Sequence, residues 1–290
     1  MQTDKAAMAM LWTTAAIWGF AFVAQRAGMQ YMGPFTFNGI RFALGSLSLL
    51  PLLWFRRRKA EVLKASAGQL LKGGLIAGIV LFFGASLQQA GMLWTSAGKA
   101  GFITGFYIIL VPLIGLFIGQ VTARNLWLGG FLALAGLFLL TVNSHFTIQK
   151  GDFLVLMSAV FWAIHVQLIN RLVVTLPPLP LSAIQFATCS ILSLTTAGIT
   201  EPIDPGRIYA AAIPLLYGGF MSVGIAYTLQ VFAQRHVHPA YASLVLSFET
   251  VFAALGGWII LNEKLSFPNL LGCLLMLSGF VLVQLRKEAK

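Results

Sequence analysis

Between Ala6 and Leu285 the chain is a succession of apolar runs, separated by short breaks marked by polar residues, Pro and Gly. Each run is close to the roughly 20 residues that a helix needs to cross the hydrocarbon core of a bilayer. The expected fold is therefore all-α and polytopic. Composition agrees: 9% of the 290 residues are charged and 58% are hydrophobic, whereas a soluble domain carries about a quarter charged residues. The polar segments are too short to build a separate soluble domain.

Breaking the chain at its polar, Pro and Gly clusters predicts ten transmembrane helices, over residues 7–25, 34–55, 69–92, 97–119, 125–142, 151–173, 178–199, 207–233, 238–261 and 267–286. The first run contains Trp12 and Trp18 and is followed by no clear small-residue cleavage site, so it reads as a retained helix rather than a signal peptide. Cys189 and Cys273 both sit inside apolar runs. They make no disulfide framework or metal spacing, and no cofactor or metal is expected.

The formal charge of +11 reports orientation rather than nucleic-acid binding. With the N-terminus cytoplasmic, thirteen of the 19 Lys and Arg fall on the inner side, the run from Arg56 to Lys59 among them. The outer side holds four, Arg26, Lys150, Arg207 and Lys264, and Arg41 and Lys99 lie within spans. The positive-inside rule then places both termini in the cytoplasm of a plasma (cell inner) membrane.

The chain also repeats itself. At a shift of 143, Leu128–Leu140 shares six of thirteen residues with Leu271–Val283, including Gly129/Gly272 and Gly136/Gly279. At 144, Pro34/Pro178, Phe42/Phe186, Ser46/Ser190 and Trp18/Trp162 coincide. At 142, Gly105/Ser247, Phe106/Phe248 and Gln88/Gln230 correspond. Three nearly constant shifts in chain order predict two five-helix units, residues 1–145 and 146–290. Five is odd, so the second unit enters the membrane inverted, a hallmark of secondary transporters.

The segments "IWGFAFVAQRAG", "FTFNGIRFALGSLSLLPL", "GFYIILVPLIG" and "LSFETVFAALGGWIILNEKLSFPNLLGCLLMLSGFVLV" resemble the drug/metabolite transporter superfamily, and its EamA-type family in particular. The resemblance covers nearly the whole chain. It implies ten helices in two EamA repeats and efflux of amino acids or similar small metabolites. The first repeat departs from the family by ending its fourth helix in "FIGQ", where a glutamate is common, so Glu263 occurs without a counterpart.

Small residues four apart, Gly74/Gly78, Gly101/Gly105, Gly115/Gly119 and Ser243/Ser247, read as packing stripes that let helix backbones approach closely. Polar groups deep in apolar runs are costly and mark a partner or a wet cavity. Glu249, near the middle of the ninth helix, is either braced by hydrogen bonds or reached by a substrate amine or a proton. Arg41 either holds a substrate carboxylate or snorkels and braces carbonyls, and Lys99 sits where a rim or gate residue would. Gln88, Tyr107, His165, Tyr227 and Gln230 are expected to point into a shared cavity, with Trp18 and Trp162 as aromatic lining. Helices 5 and 10, almost without polar side chains, are expected at the periphery or in a dimer contact.

Three classes compete. An intramembrane enzyme needs a nucleophile or a ligand cluster, and none is visible; a channel needs a pore-lining ring, and none is suggested. No Walker A motif is present to couple transport to ATP. The sequence therefore predicts a secondary transporter, probed by a small-molecule substrate, with proton coupling possible and a monomer or homodimer as its assembly. Export is the direction implied by resemblance, with import or exchange of another organic solute as the alternative.

Overall fold

The computed structural model describes residues 4–57, 66–95, 97–141, 150–261 and 266–288, and all regular structure among them is helical. Eight stretches are long and apolar enough to cross a membrane, and two shorter apolar helices, Arg124–Leu139 and Phe267–Val283, accompany them.

In chain order the first half holds α1 (Lys5–Gly28), α2 (Pro34–Ser48), α3 (Leu50–Arg57), α4 (Ala67–Gly91), α5 (Ala97–Gly105), α6 (Tyr107–Phe117) and α7 (Arg124–Thr141). The second holds α8 (Lys150–Leu172), α9 (Pro178–Thr200), α10 (Pro205–Ala210), α11 (Ala212–Leu216), a π-helical segment (Tyr217–Tyr227), α12 (Thr228–Ala233), α13 (Pro239–Leu246), α14 (Glu249–Leu261) and α15 (Phe267–Glu288).

Local chemistry sets the ends. Asp4 caps α1 by accepting from the Ala6 N–H at 2.9 Å. Ser66 and Gln69 form a reciprocal capping box on α4, satisfying two of the donors that a helix start leaves free. Proline opens α2, α9, α10 and α13, at positions where its missing N–H costs nothing. After α6 the chain turns through Gly119 at φ +79°. The Gln120 and Gly119 N–H groups return to the Gly115 and Leu116 carbonyls, the double bond that characterises a Schellman cap. Gly119 meets nothing on its Cβ side, so the expected Gly115/Gly119 packing stripe is not one: Gly119 is there for its backbone.

Four expected continuous spans are interrupted. The 34–55 run breaks at Leu49, two residues before Pro51, which has no N–H to offer the Leu47 carbonyl. The 97–119 run breaks at Phe106 and the 238–261 run at Ser247–Phe248. At the second of these the Ser243 and Ser247 hydroxyls bond back to the Ala240 and Leu244 carbonyls, at 3.0 and 2.8 Å, an arrangement that bends helices. The eighth run contains the π segment. A periodicity argument sees apolar length and misses such breaks, because they change hydrogen bonding without changing hydropathy.

Glycines let neighbouring helices pack closely, against backbone at some positions and against side chains at others. A Cβ on Gly78 would meet the Gln185 carbonyl oxygen at 2.7 Å, and one on Gly219 would meet the Leu44 side chain at 2.5 Å. These contacts close α4 on α9 and the π segment on α2. Helices α7 and α15 lie against each other antiparallel: Gly129 faces the Gly279 carbonyl and Gly136 the Gly272 carbonyl. The chain thus uses the face of helices 5 and 10, expected at the periphery or in a dimer contact, to join its own two halves.

Candidate functional site

Where α1, α2, α4, α5, α6, α8, the π segment, α12, α13 and α14 converge, a cavity opens with about 520 Å³ of empty space, its open mouth included. Two of its wall residues stand immediately after helix breaks, Tyr107 at the start of α6 and Glu249 at the start of α14. The breaks occupy corresponding positions of the sequence repeat, Phe106 and Ser247–Phe248. Irregular backbone at membrane depth is tolerated where it lines a cavity, which is where these breaks lie.

Seven of the eight expected substrate contacts line this cavity: Trp18, Gln88, Tyr107, Trp162, Tyr227, Gln230 and Glu249. Arg41, expected at a gate or brace, lines it as well. It does not snorkel: the side chain is 2% exposed, with Nε donating to Asn38 Oδ1 at 2.9 Å. Its guanidinium carbon sits 5.0 Å from the Phe42 ring centroid and 5.7 Å from that of Phe37, an arrangement in which ring faces help to hold the charge. Glu249 is 6% exposed, and its carboxylate has no hydrogen-bond or ion-pair partner among the described residues.

His165 stands apart from the wall. It is fully buried, its Nε2 paired with Gln185 Oε1 at 2.9 Å, and it lies behind the Trp162 and Tyr227 rings, with centroids 6.2 and 6.5 Å away. The side chain of Lys99 and the whole of Glu263 lie outside the described residues.

The wall also includes residues that the sequence reading passed over. Gln25, in the last turn of α1, reads from sequence as a helix end; Thr104 hides beside the glycines of α5, and its hydroxyl accepts from Gln88 Nε2 at 3.0 Å. Trp18 and Tyr227 rings meet with centroids 4.5 Å apart, and Trp162 stacks on Tyr227 at 6.0 Å. Four buried wall atoms have no hydrogen-bond partner among the described residues: Gln25 Oε1, Tyr107 OH, Trp162 Nε1 and Gln230 Oε1. Buried polar atoms are nearly always paired, so a wall carrying four unpaired ones is equipped to bond a polar guest. Elsewhere on α8 and at the end of α12 amides tie neighbouring helices together: Gln167 Nε2 donates to the Val111 carbonyl at 2.7 Å, Gln234 Nε2 to that of Val166 at 3.1 Å, and Asn170 Nδ2 to that of Gln234 at 3.0 Å.

A bundle of apolar helices around a cavity that carries a few polar and charged side chains is the build of a membrane transporter, and the comparisons with known proteins agree. Residues 5–142 and 149–285 each match the EamA-like transporter family. The chain belongs to that family. It is 32% identical, over 94% of its length and 83% of the other protein's, to an uncharacterized transporter of Archaeoglobus fulgidus. It is also similar to the uncharacterized inner membrane transporter YedA of Escherichia coli K12, at 27% identity over 93% and 88% of the two chains. A solved structure titled "Crystal structure of protein" superposes with a TM-score of 0.80 at 18% identity, covering 98% of both chains. That likeness speaks for the fold.

Proposed function

We propose that this protein is a secondary transporter that moves amino acids or similar small zwitterionic metabolites out of the cell by alternating access through the central cavity. Ten membrane crossings form two inverted five-helix repeats, residues 1–145 and 146–290, in a plasma (inner) membrane with both termini cytoplasmic. The antiparallel Gly129–Gly279 and Gly136–Gly272 contacts support the inverted relation, because exchanging the two repeats maps one contact onto the other. The two family matches support the division.

One observation carries the substrate class. The cavity wall holds one guanidinium, Arg41, and one carboxylate, Glu249, both buried and not paired with each other. Buried charges are costly unless paired. A guest with a carboxylate for Arg41 and an amine for Glu249 would complete both pairs and bring no net charge into the membrane. The Trp18, Trp162 and Tyr227 rings give its apolar part a flat wall. Glu249 is also the group that a coupled proton would occupy.

The test is counterflow with purified protein in liposomes, using labelled amino acids beside the same solutes esterified or N-acetylated. Exchange of the parent solutes, with loss of exchange when either end is blocked, is the expected result. Equal exchange of blocked and parent solutes would refute the zwitterion reading.

A further inference from the structure

The two halves of the bundle are bonded differently at one pair of matching places. Trp18 Nε1 donates to the Ser222 carbonyl at 3.2 Å, and the Thr14 hydroxyl, one turn earlier on α1, lies between the Met10 carbonyl of its own helix at 2.9 Å and the Ala226 carbonyl at 3.0 Å, sharing its proton between them. Both acceptors belong to the π segment, and the Tyr217 hydroxyl at its start donates back to the Ile17 carbonyl at 2.9 Å. The wide i→i+5 turn of a π-helix loosens the regular carbonyl ladder, and such turns cluster at functional sites.

In the other half the same residue types make no such bridge. Trp162 corresponds to Trp18, and its Nε1 is buried without a partner. Ser158 corresponds to Thr14, and its hydroxyl bonds to the Val155 carbonyl of its own helix at 2.6 Å without the second, cross-helix acceptor that Thr14 has among the described residues. Helix α4, the counterpart of the π-containing run, is α-helical from Ala67 to Gly91. At the Gln88/Gln230 shift of 142, Ser222 and Ala226 correspond to Val80 and Gly84. Gly84 already lies under the Trp162 indole, whose ring carbons are 3.4 Å from where a Cβ would stand. A side-chain N–H is therefore poised over a backbone that, in its α-helical form, offers it nothing.

We propose that the π segment is the moving part of the transport cycle, exchanged between the two halves. In the opposite state Tyr217–Tyr227 tightens to α-helix and releases Trp18 and Thr14, while α4 opens a π turn whose Val80 and Gly84 carbonyls take Trp162 and Ser158. This rests on the two-repeat reading above. It assigns a two-state element to the symmetry: each half carries an indole and a hydroxyl donor on its first helix, Trp18 with Thr14 and Trp162 with Ser158, and one half at a time presents the acceptors. The Tyr217 hydroxyl, matched in the sequence repeat by Leu75, belongs to one half alone. Because Ser222 and Tyr227 line the cavity, changing the turn would also reshape the wall on which the guest rests.

The experiment uses the full chain in liposomes with Cys189→Ser and Cys273→Ser as background. Single reporters Gln25→Cys and Gln230→Cys sit near opposite ends of the cavity, and the ratio of their reactivities towards a small polar thiol reagent reads the open side. Trp18→Phe and Thr14→Val each remove a bond of the present state; Trp162→Phe and Ser158→Ala each remove one of the other. The first pair should move the ratio one way and the second pair the opposite way, each by about fivefold, the weight of one net hydrogen bond. A common direction for all four, or no shift, would overturn the proposal. Two further probes, Gln30→Cys and Val174→Cys, read the repeat itself: labelling from opposite membrane faces supports inversion, and labelling from the same face removes the premise separately.

Discussion

Glu249 and Arg41 differ in how the protein holds them, and the difference predicts how each tolerates change. Arg41 is packed between Phe37 and Phe42 and tied to Asn38, so its substitution costs stability as well as binding. Glu249 has no such supports among the described residues. Glu249→Gln therefore removes an uncompensated buried charge and should leave the melting temperature unchanged or higher, while weakening substrate binding by ten- to a hundredfold, since hydrogen bonds to charged groups contribute about 1.5–3 kcal/mol. Thermal melts and binding isotherms on the same preparation check both halves; a lowered melting temperature would mean that the carboxylate braces the fold. Gly119 acts through its backbone alone. Gly119→Ala should cost about 1 kcal/mol by forcing a Cβ into the left-handed region, although nothing is near enough to clash.

At the scale of elements, α7 and α15 show what a small-residue face does where apolar burial gives helices no preference for one another. A Cβ on Gly136 would stand 2.5 Å from the Gly272 carbonyl oxygen. Gly136→Val should thus destabilise the protein by about 1–3 kcal/mol through overpacking, measurable as a lowered unfolding midpoint in detergent. Gly198→Ala, on α9 with open space around it, is the matched control and should be neutral or slightly stabilising. The same pair of helices contributes no residue to the cavity wall. Cysteines at Gln88 and Gln230 should accordingly react with a polar thiol reagent and be protected by substrate, whereas cysteines at Leu134 and Leu277 should not react. Substrate protection at the α7 and α15 positions instead would relocate the transport path.

For the molecule as a whole, the distribution of basic residues along the sequence predicts the orientation. A reporter active only outside the cytoplasm, fused after Lys290, should be silent; strong activity would reverse the topology. The antiparallel crossing of α7 and α15 and the matching breaks at Phe106 and Ser247–Phe248 give the two halves a common construction. The bonding around Trp18 and Trp162 differs between the two halves, and the proposed two-repeat carrier would need such an inequality to favour one open side over the other.

The sequence by itself determined the helical, membrane-spanning class and several of the polar residues that line the cavity. Each follows from the high cost of putting a polar group or an unbonded backbone into hydrocarbon, a cost that single residues report directly. Gln88, Tyr107, Tyr227, Gln230 and Glu249 were legible for that reason. His165 carries the same signal, because a buried histidine costs as much whether it faces a guest or Gln185. Only the tertiary structure separated those cases. It also decided the helix breaks, the π segment and the enclosure of Arg41, since these depend on which carbonyl, ring or glycine a neighbouring helix brings alongside, and hydropathy along one chain segment holds no record of its neighbour.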